Sequence, residues 1–237
     1  MALSFDPKGN QLLASLSEQE LGQWLQHLEP MNLPLGLLLY ESGATLSHVY
    51  FPTSAIVSLL QSTAEGESAA IAVVGFEGIV GVSLFMGGQS TPTRAVVQSA
   101  GGGFRLNASV MLQQFNLAGS VMHLLLRYTQ ALITQMSQTA VCNRHHTLDQ
   151  QLCRWLLLSL DRLRSNELVM TQELIANMLG VRREGVNAAL GRLGEAELVT
   201  YQRGRITVLD REQLERRTCE CYAVVKKEYD RLLRVAI

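Results

Sequence analysis

Thr171-Gln-Glu-Leu-Ile-Ala-Asn-Met-Leu-Gly-Val-Arg-Arg-Glu-Gly-Val-Asn-Ala-Ala-Leu-Gly-Arg-Leu193 is the stretch that decides how this chain folds. It predicts two short helices joined by a tight turn. Thr171 is placed to cap the first helix, and Glu173 in its first turn is favoured by the positive end of the helix dipole. Leu174, Ile175, Met178 and Leu179 form an apolar face of helical period. Gly180 falls where the chain must turn, a position suited to positive φ at a helix end. The small Ala176 marks the side on which a second helix crosses closely. Val181, Val186, Leu190 and Leu193 supply the buried face of that second helix, whose opening residues are Arg182, Arg183 and Glu184. A helix-turn-helix presents these residues to the DNA major groove. There arginine reads guanine with two hydrogen bonds, and glutamate accepts one from cytosine. A plain helical hairpin has the same spacing, with Arg-Arg-Glu as a solvated face, so the residues that follow carry weight.

Those residues are Leu198-Val-Thr-Tyr-Gln-Arg-Gly-Arg-Ile-Thr-Val208, two β-branched runs around Arg203-Gly204-Arg205. They predict a hairpin with a basic tip, a wing beside the two helices. The division of labour expected on DNA is base reading by Arg183 and Glu184 with support from Arg182 and Asn187. Thr171, Arg203 and Arg205 hold phosphates.

With 237 residues the chain has room for two domains, each with its own core. Its net charge of −1 excludes a polycation, but the charge is unevenly placed. Residues 1–145 hold 5 Lys/Arg and 8 Asp/Glu, whereas residues 146–237 hold 15 and 13. The start has no basic segment leading into an apolar run, and no run of about 18 apolar residues occurs, so the expectation is a cytoplasmic protein without a membrane span. The four cysteines are Cys142, Cys153, Cys219 and Cys221. They suit a reduced compartment. Cys219-Glu-Cys221 lacks the usual zinc spacing, and adjacent His145 and His146 point apart on a helix, so no metal site is expected. No nucleophile–base set and no phosphate-binding loop appears, which argues against an enzyme.

Residues 11–29 read as helical, ended by Pro30 and Pro34. From about 33 to 115 the pattern becomes short β runs: 37–40, 49–51, 55–60, 69–74 and 95–98. They are separated by glycine turns, among them Gly101-Gly-Gly103, and predict an antiparallel barrel or roll. A long helix follows over about 117–143, with Val121, Leu124, Leu125, Tyr128, Leu132 and Met136 recurring near a 3.5-residue spacing. Leu126 and Ile133 widen its apolar surface. A helix apolar on two sides needs two partners, so these six residues are expected to meet a second copy of the chain. Asn143-Arg-His-His146 reads as a hinge, with a new helix running to about Arg164.

This order of parts resembles the Crp/Fnr superfamily of bacterial regulators, over residues from about 20 to 225. The match is most specific in Gly180-Val-Arg-Arg-Glu-Gly-Val186, which follows the family's Gly-x-x-Arg-Glu-x-Val run. Ala188 stands where the family often has a further basic residue, which implies either a different operator preference or compensation by Arg182. The resemblance implies an α+β architecture. An N-terminal helix and antiparallel β-roll sensor span 1–116, a dimerisation helix and hinge 117–145, and a winged helix-turn-helix with a helical tail 146–237. It implies a homodimer on an inverted-repeat operator, with double-stranded DNA and RNA polymerase as partners.

By the same resemblance an effector pocket would comprise Gly78, Gly81, Thr93, Arg94 and Tyr128. In Gly78-Ile-Val-Gly81 the apolar Ile79 occupies the place of the family's ribose-binding glutamate, so the effector is expected not to be cyclic AMP. The family's N-terminal iron–sulfur cysteine cluster has no counterpart here. The effector is left unassigned, with no cofactor expected. The competing reading is a small-molecule or cyclic-nucleotide-binding module acting on a protein partner, against which the basic wing argues.

Overall fold

The computed structural model describes residues 6–163 and 165–233. Two short helices open the chain, α1 (Gln11–Ala14) and α2 (Glu18–Leu25), where the apolar pattern predicts one continuous helix. The break has a local cause. Ser17 forms a capping box with Glu20, each side chain bonding the other's backbone N–H, and this starts a new helix.

Seven antiparallel strands follow: β1 (Glu29–Leu33), β2 (Leu38–Tyr40), β3 (His48–Pro52), β4 (Ile56–Ser62), β5 (Ser68–Val74), β6 (Arg94–Ser99) and β7 (Gly101–Asn107). They form two sheets, ordered β1-β7-β3 and β2-β6-β4-β5. Pro30 lies within β1, at a sheet edge, where its missing N–H costs no ladder bond. The two sheets enclose a core that includes Phe51, Ile56, Val97 and Leu106, closed at one end by Trp24, whose ring lies 5.8 Å from that of Phe51.

Gly101-Gly-Gly103, expected as a turn, is instead the start of the central strand β7. A Cβ at Gly101 would collide with the Ala55 nitrogen, and one at Gly103 would lie 2.8 Å from the Phe51 carbonyl oxygen. Glycine is required there by the close approach of neighbouring backbone, not by a turn. Gly101→Ala is therefore expected to destabilise the fold by about 1–3 kcal/mol in urea unfolding. An unchanged midpoint would show that β7 can shift to admit the methyl group.

Two helices come next, α3 (Ala108–Asn116) and the 26-residue α4 (Ser120–His145), separated at Ala118, whose φ is +55°. Then come α5 (Leu148–Leu160), β8 (Glu167–Val169), α6 (Gln172–Leu179), α7 (Arg183–Glu195), β9 (Val199–Gln202), β10 (Arg205–Val208), α8 (Arg211–Arg217) and α9 (Glu220–Leu233). Arg164, the expected end of the helix after the hinge, lies outside the described residues. In α5 every residue from Gln151 to Leu160 is buried. A helix apolar and buried all round needs neighbours on every side. It finds them in α7, α8 and α9, and in the roll, where Gln98 Nε2 donates to Ser159 Oγ (3.1 Å).

The long helix α4 departs from expectation in the face it buries. Val121, Leu124, Leu125, Tyr128 and Leu132 are all buried within the same chain, and Met136 is partly buried. They pack into the subunit's own core, so they are not the surface left for a second copy. The second partner of α4 is α9, which lies along it: Gln135 Nε2 donates to Tyr229 Oη (2.9 Å), and the Tyr128 and Tyr229 rings meet edge to face. The large apolar residues that α4 leaves open are Leu126, Ile133 and Val141, and the small Ala140 is exposed beside them. Among the described residues no helix is long and apolar enough to cross a membrane.

Candidate DNA-binding interface

Thr171 caps α6, its Oγ1 accepting from the Leu174 N–H (3.2 Å). Gly180 ends α6 with φ +66° and ψ +36°, the left-handed C-cap that glycine adopts without strain. Val181 N–H then bonds back to the Ala176 carbonyl (3.0 Å), which sets the turn. Arg182 occupies the N-cap of α7 in extended conformation, its side chain making no capping bond. Val186, Ala189, Leu190 and Leu193 are buried, which fixes the rotation of α7 and turns Arg183, Glu184 and Asn187 outward. Gly185 allows α7 to cross α5 closely, since a Cβ there would lie 2.9 Å from Leu148 Cδ2.

Gln172, Arg183, Glu184 and Asn187 line one shallow hollow between the starts of α6 and α7. Gln172 Nε2 donates to Asn187 Oδ1 (3.0 Å), so Asn187 is held before any ligand arrives. Sequence reasoning missed Gln172; its position directly after the cap Thr171 was the available signal. The adjoining hollow is lined by Thr171, Glu173, Asn177, Arg203 and Gly204, with Leu35 from the roll. Arg203 and Gly204 both have positive φ (+50° and +75°), as a two-residue hairpin turn requires. The wing has a third strand that the sequence pattern did not show: β8 pairs with β10, giving the order β8-β10-β9.

The charge pattern separates the arginines of this half of the chain. Arg192 pairs with Asp149 (2.8 Å), Arg211 with Asp161 and Glu215, Arg216 with Glu212, and Arg231 with Glu228. Arg205 pairs with Glu167 across the wing sheet, so its charge is partly neutralised within the chain. Arg182, Arg183 and Arg203 are exposed and have no ion pair among the described residues. Arg217 at the end of α8 is likewise exposed without an ion pair among the described residues. The first three leave uncompensated charge on the face formed by the α7 N-terminus and the wing tip. Such a local pattern signals nucleic-acid binding better than net charge does.

The expected effector residues are not gathered around an open pocket. A Cβ on Gly78 would collide with the Tyr128 ring, so these two residues fill the space between them. Gly81 sits apart against Val49, with φ +107°. Thr93 Oγ1 bonds Thr91 Oγ1 (2.9 Å), and Arg94 begins β6 opposite Leu60. Arg94 Nε is buried without a hydrogen-bond partner among the described residues. Ile79 is fully buried, a core residue that offers nothing to a ribose. A cavity of about 240 Å³ lies elsewhere, lined by Gln11, Phe76, Glu77, Arg162, Lys226 and Tyr229 among others.

At that cavity Arg162 Nε donates to Glu77 Oε1 (2.7 Å) and a terminal nitrogen donates to the Leu158 carbonyl (2.7 Å). The guanidinium also lies 5.4 Å from the centre of the Tyr229 ring. Burial disfavours the Arg162 charge, and the Glu77 carboxylate more than restores it. This pair joins the roll's Gly75–Gly81 turn to the end of α5, and sequence reasoning left both residues unassigned. A further junction lies at Gly180, where a Cβ would stand 3.1 Å from Ala69 Cβ, so the helix-turn-helix is docked on β5.

The described residues thus form a β-roll joined by a long helix to a winged helix-turn-helix. Residues 150–217 match the family described as the Crp-like helix-turn-helix domain. Solved structures share the fold. FixK2 from Bradyrhizobium japonicum is 16% identical, with a TM-score of 0.68 over 81% of this chain and 98% of that one. A CRP-family transcriptional regulator from Thermus thermophilus is 18% identical, with a TM-score of 0.66 over 79% and 95%. The c-di-GMP responsive global regulator CLP from Xanthomonas campestris is 13% identical, with a TM-score of 0.64 over 82% and 100%. No curated protein matches the chain in sequence. Residues 150–217 thus form a Crp-like helix-turn-helix domain, and the whole chain shares its fold with solved structures of Crp/Fnr regulators.

Proposed function

We propose that this chain is a homodimeric, sequence-specific regulator of transcription that reads an inverted-repeat operator and engages RNA polymerase from the bound site. The observation that carries the reading is that exposed, unpaired Arg182, Arg183 and Arg203 share the face of α7 and the wing. Arg183 and Glu184 read base edges, Arg182, Asn187 and Gln172 support them, and Thr171, Arg203 and Arg205 hold phosphates. Two copies place their α7 helices in successive major grooves about one helical turn apart. Residues 1–116 act as the sensor, 117–145 as the dimer helix and hinge, and 146–237 as the reader. The docking of α6 on β5 is one arrangement of that reader, and an effector acting at the roll shifts the population toward another. The unpartnered Arg94 Nε supports an anionic effector, and buried Ile79 supports one other than cyclic AMP.

The test is selection of operator sequences by the purified protein, followed by titration of Arg183→Ala on the selected site. The variant is expected to lose about 1–3 kcal/mol of binding and to relax preference at one base pair of each half-site. Equal loss on selected and random DNA would remove Arg183 from the base-reading role.

A further inference from the structure

Four side chains that lie far apart in sequence converge at the hinge. Cys142 is in the last turn of α4, His146 follows that helix, and Cys219 and Cys221 flank the start of α9. One ligand atom from each lies within 4.8 Å of all the others. Cys142 Sγ is 3.5 Å from Cys219 Sγ, and Cys221 Sγ is 3.6 Å from His146 Nδ1. A tetrahedral zinc ion with bonds of ~2.3 Å to sulfur and ~2.0–2.1 Å to nitrogen has edges of roughly 3.5–3.8 Å. The two close pairs match those edges. A disulfide, with sulfurs ~2.05 Å apart, would involve only two of the four donors.

The surroundings point the same way. With Nδ1 facing the thiols, His146 presents Nε2 to Glu220 Oε1 at 3.4 Å. A carboxylate on the far nitrogen is the arrangement that orients a metal-bound imidazole and raises its basicity. Three thiolates and a neutral imidazole around a divalent ion leave one net negative charge. Arg154 is buried and held by Thr139 Oγ1 (2.7 Å), and its charge interacts with those of Cys142, Cys219 and Cys221. Its Nε has no hydrogen-bond partner among the described residues, leaving a buried positive charge to balance the site.

We propose that Cys142, His146, Cys219 and Cys221 bind one zinc ion, which clamps the hinge after α4 to the head of α9. The spacing along the chain conceals this site, because one pair of ligands comes from each side of the DNA-binding unit. The clamp holds the point where α4 passes into α5, so it sets the angle at which the reader leaves the long helix.

The test is metal analysis of the full chain purified under reducing conditions from zinc-supplemented cells, with variants and cobalt(II) substitution. The wild type is expected to carry about one zinc per chain. The cobalt form should show the visible bands of a tetrahedral thiolate site. Cys221→Ser and His146→Ala should lose the metal. Cys221→His should retain it, and so should Cys153→Ser, whose buried thiol is not one of the four converging ligands. The cobalt spectrum of the wild type decides the matter even if a variant fails to fold. Absence of bound zinc together with absence of tetrahedral cobalt bands overturns the proposal. So does iron with labile sulfide in place of zinc, a Cys142–Cys219 disulfide in the metal-free reduced preparation, or full zinc content in Cys221→Ser.

Discussion

Glu77→Gln is expected to destabilise the folded chain by about 3–5 kcal/mol, the cost of leaving a buried charge without its partner. The side chains of Arg162 and Glu77 are only 5% and 10% exposed, so water in the adjoining cavity replaces little of the lost carboxylate. Glutamine keeps the shape and one acceptor oxygen, which isolates the charge as the quantity removed. Arg162 would retain its bond to the Leu158 carbonyl and its place over the Tyr229 ring, neither of which neutralises it. In a chain of this size the loss corresponds to a fall in melting temperature of roughly 6–20 °C. The double variant Glu77→Gln/Arg162→Met should recover most of that loss, because an apolar side chain of similar length removes the orphaned charge. A single-variant cost below about 1 kcal/mol, as for an exposed pair, would mean that water reaches the site. The pair spans the turn of the roll and the base of the reader, so its loss should also make cleavage by a protease between the two faster.

The helix-turn-helix was legible because its determinants are local. The Thr171 cap, the Gly180 turn and the apolar faces of α6 and α7 all lie within 23 residues and follow one period. The wing was legible for the same reason, although β8 was not, since three residues with no alternation carry no strand signal. What the sequence concealed depends on contacts between distant segments. Gly101-Gly-Gly103 has turn composition, and only the approach of Ala55 and Phe51 turns it into a central strand. Glu77 and Arg162 are 85 positions apart, and Cys142 and Cys219 are 77 apart, separations at which no spacing rule operates. The face of α4 misleads because a periodic apolar stripe shows that something covers it, not what does. Tyr128 and Leu132 fit a dimer seam and a subunit core equally well in sequence. The presence of α9 along α4 decides for the core.

That correction moves the proposed dimer surface to the residues α4 leaves open, and there Ile133→Arg should have its effect. Leu126, Ile133 and Ala140 recur every seven residues, the spacing of a helix that meets a second helix along a seam. Leu126 and Ile133 are 45% and 51% exposed in the single chain, apolar surface that a partner would remove from water. An arginine at 133 costs the subunit fold little, because the site is already in water. Across a two-fold axis, however, it would set like charges against each other. The variant is expected to sediment as a monomer at concentrations where the wild type is a dimer. Operator binding should fall by at least about 10³-fold toward the non-specific level, since a single reader contacts one half-site. The melting curve of the subunit should change little apart from its concentration dependence. Leu117→Arg, at a still more exposed apolar position outside α4, serves as the control and should remain dimeric. A dimeric, operator-binding Ile133→Arg would place the two-fold axis elsewhere on the molecule. A monomeric variant that kept full operator affinity would instead remove the need for two readers, and with it the inverted repeat.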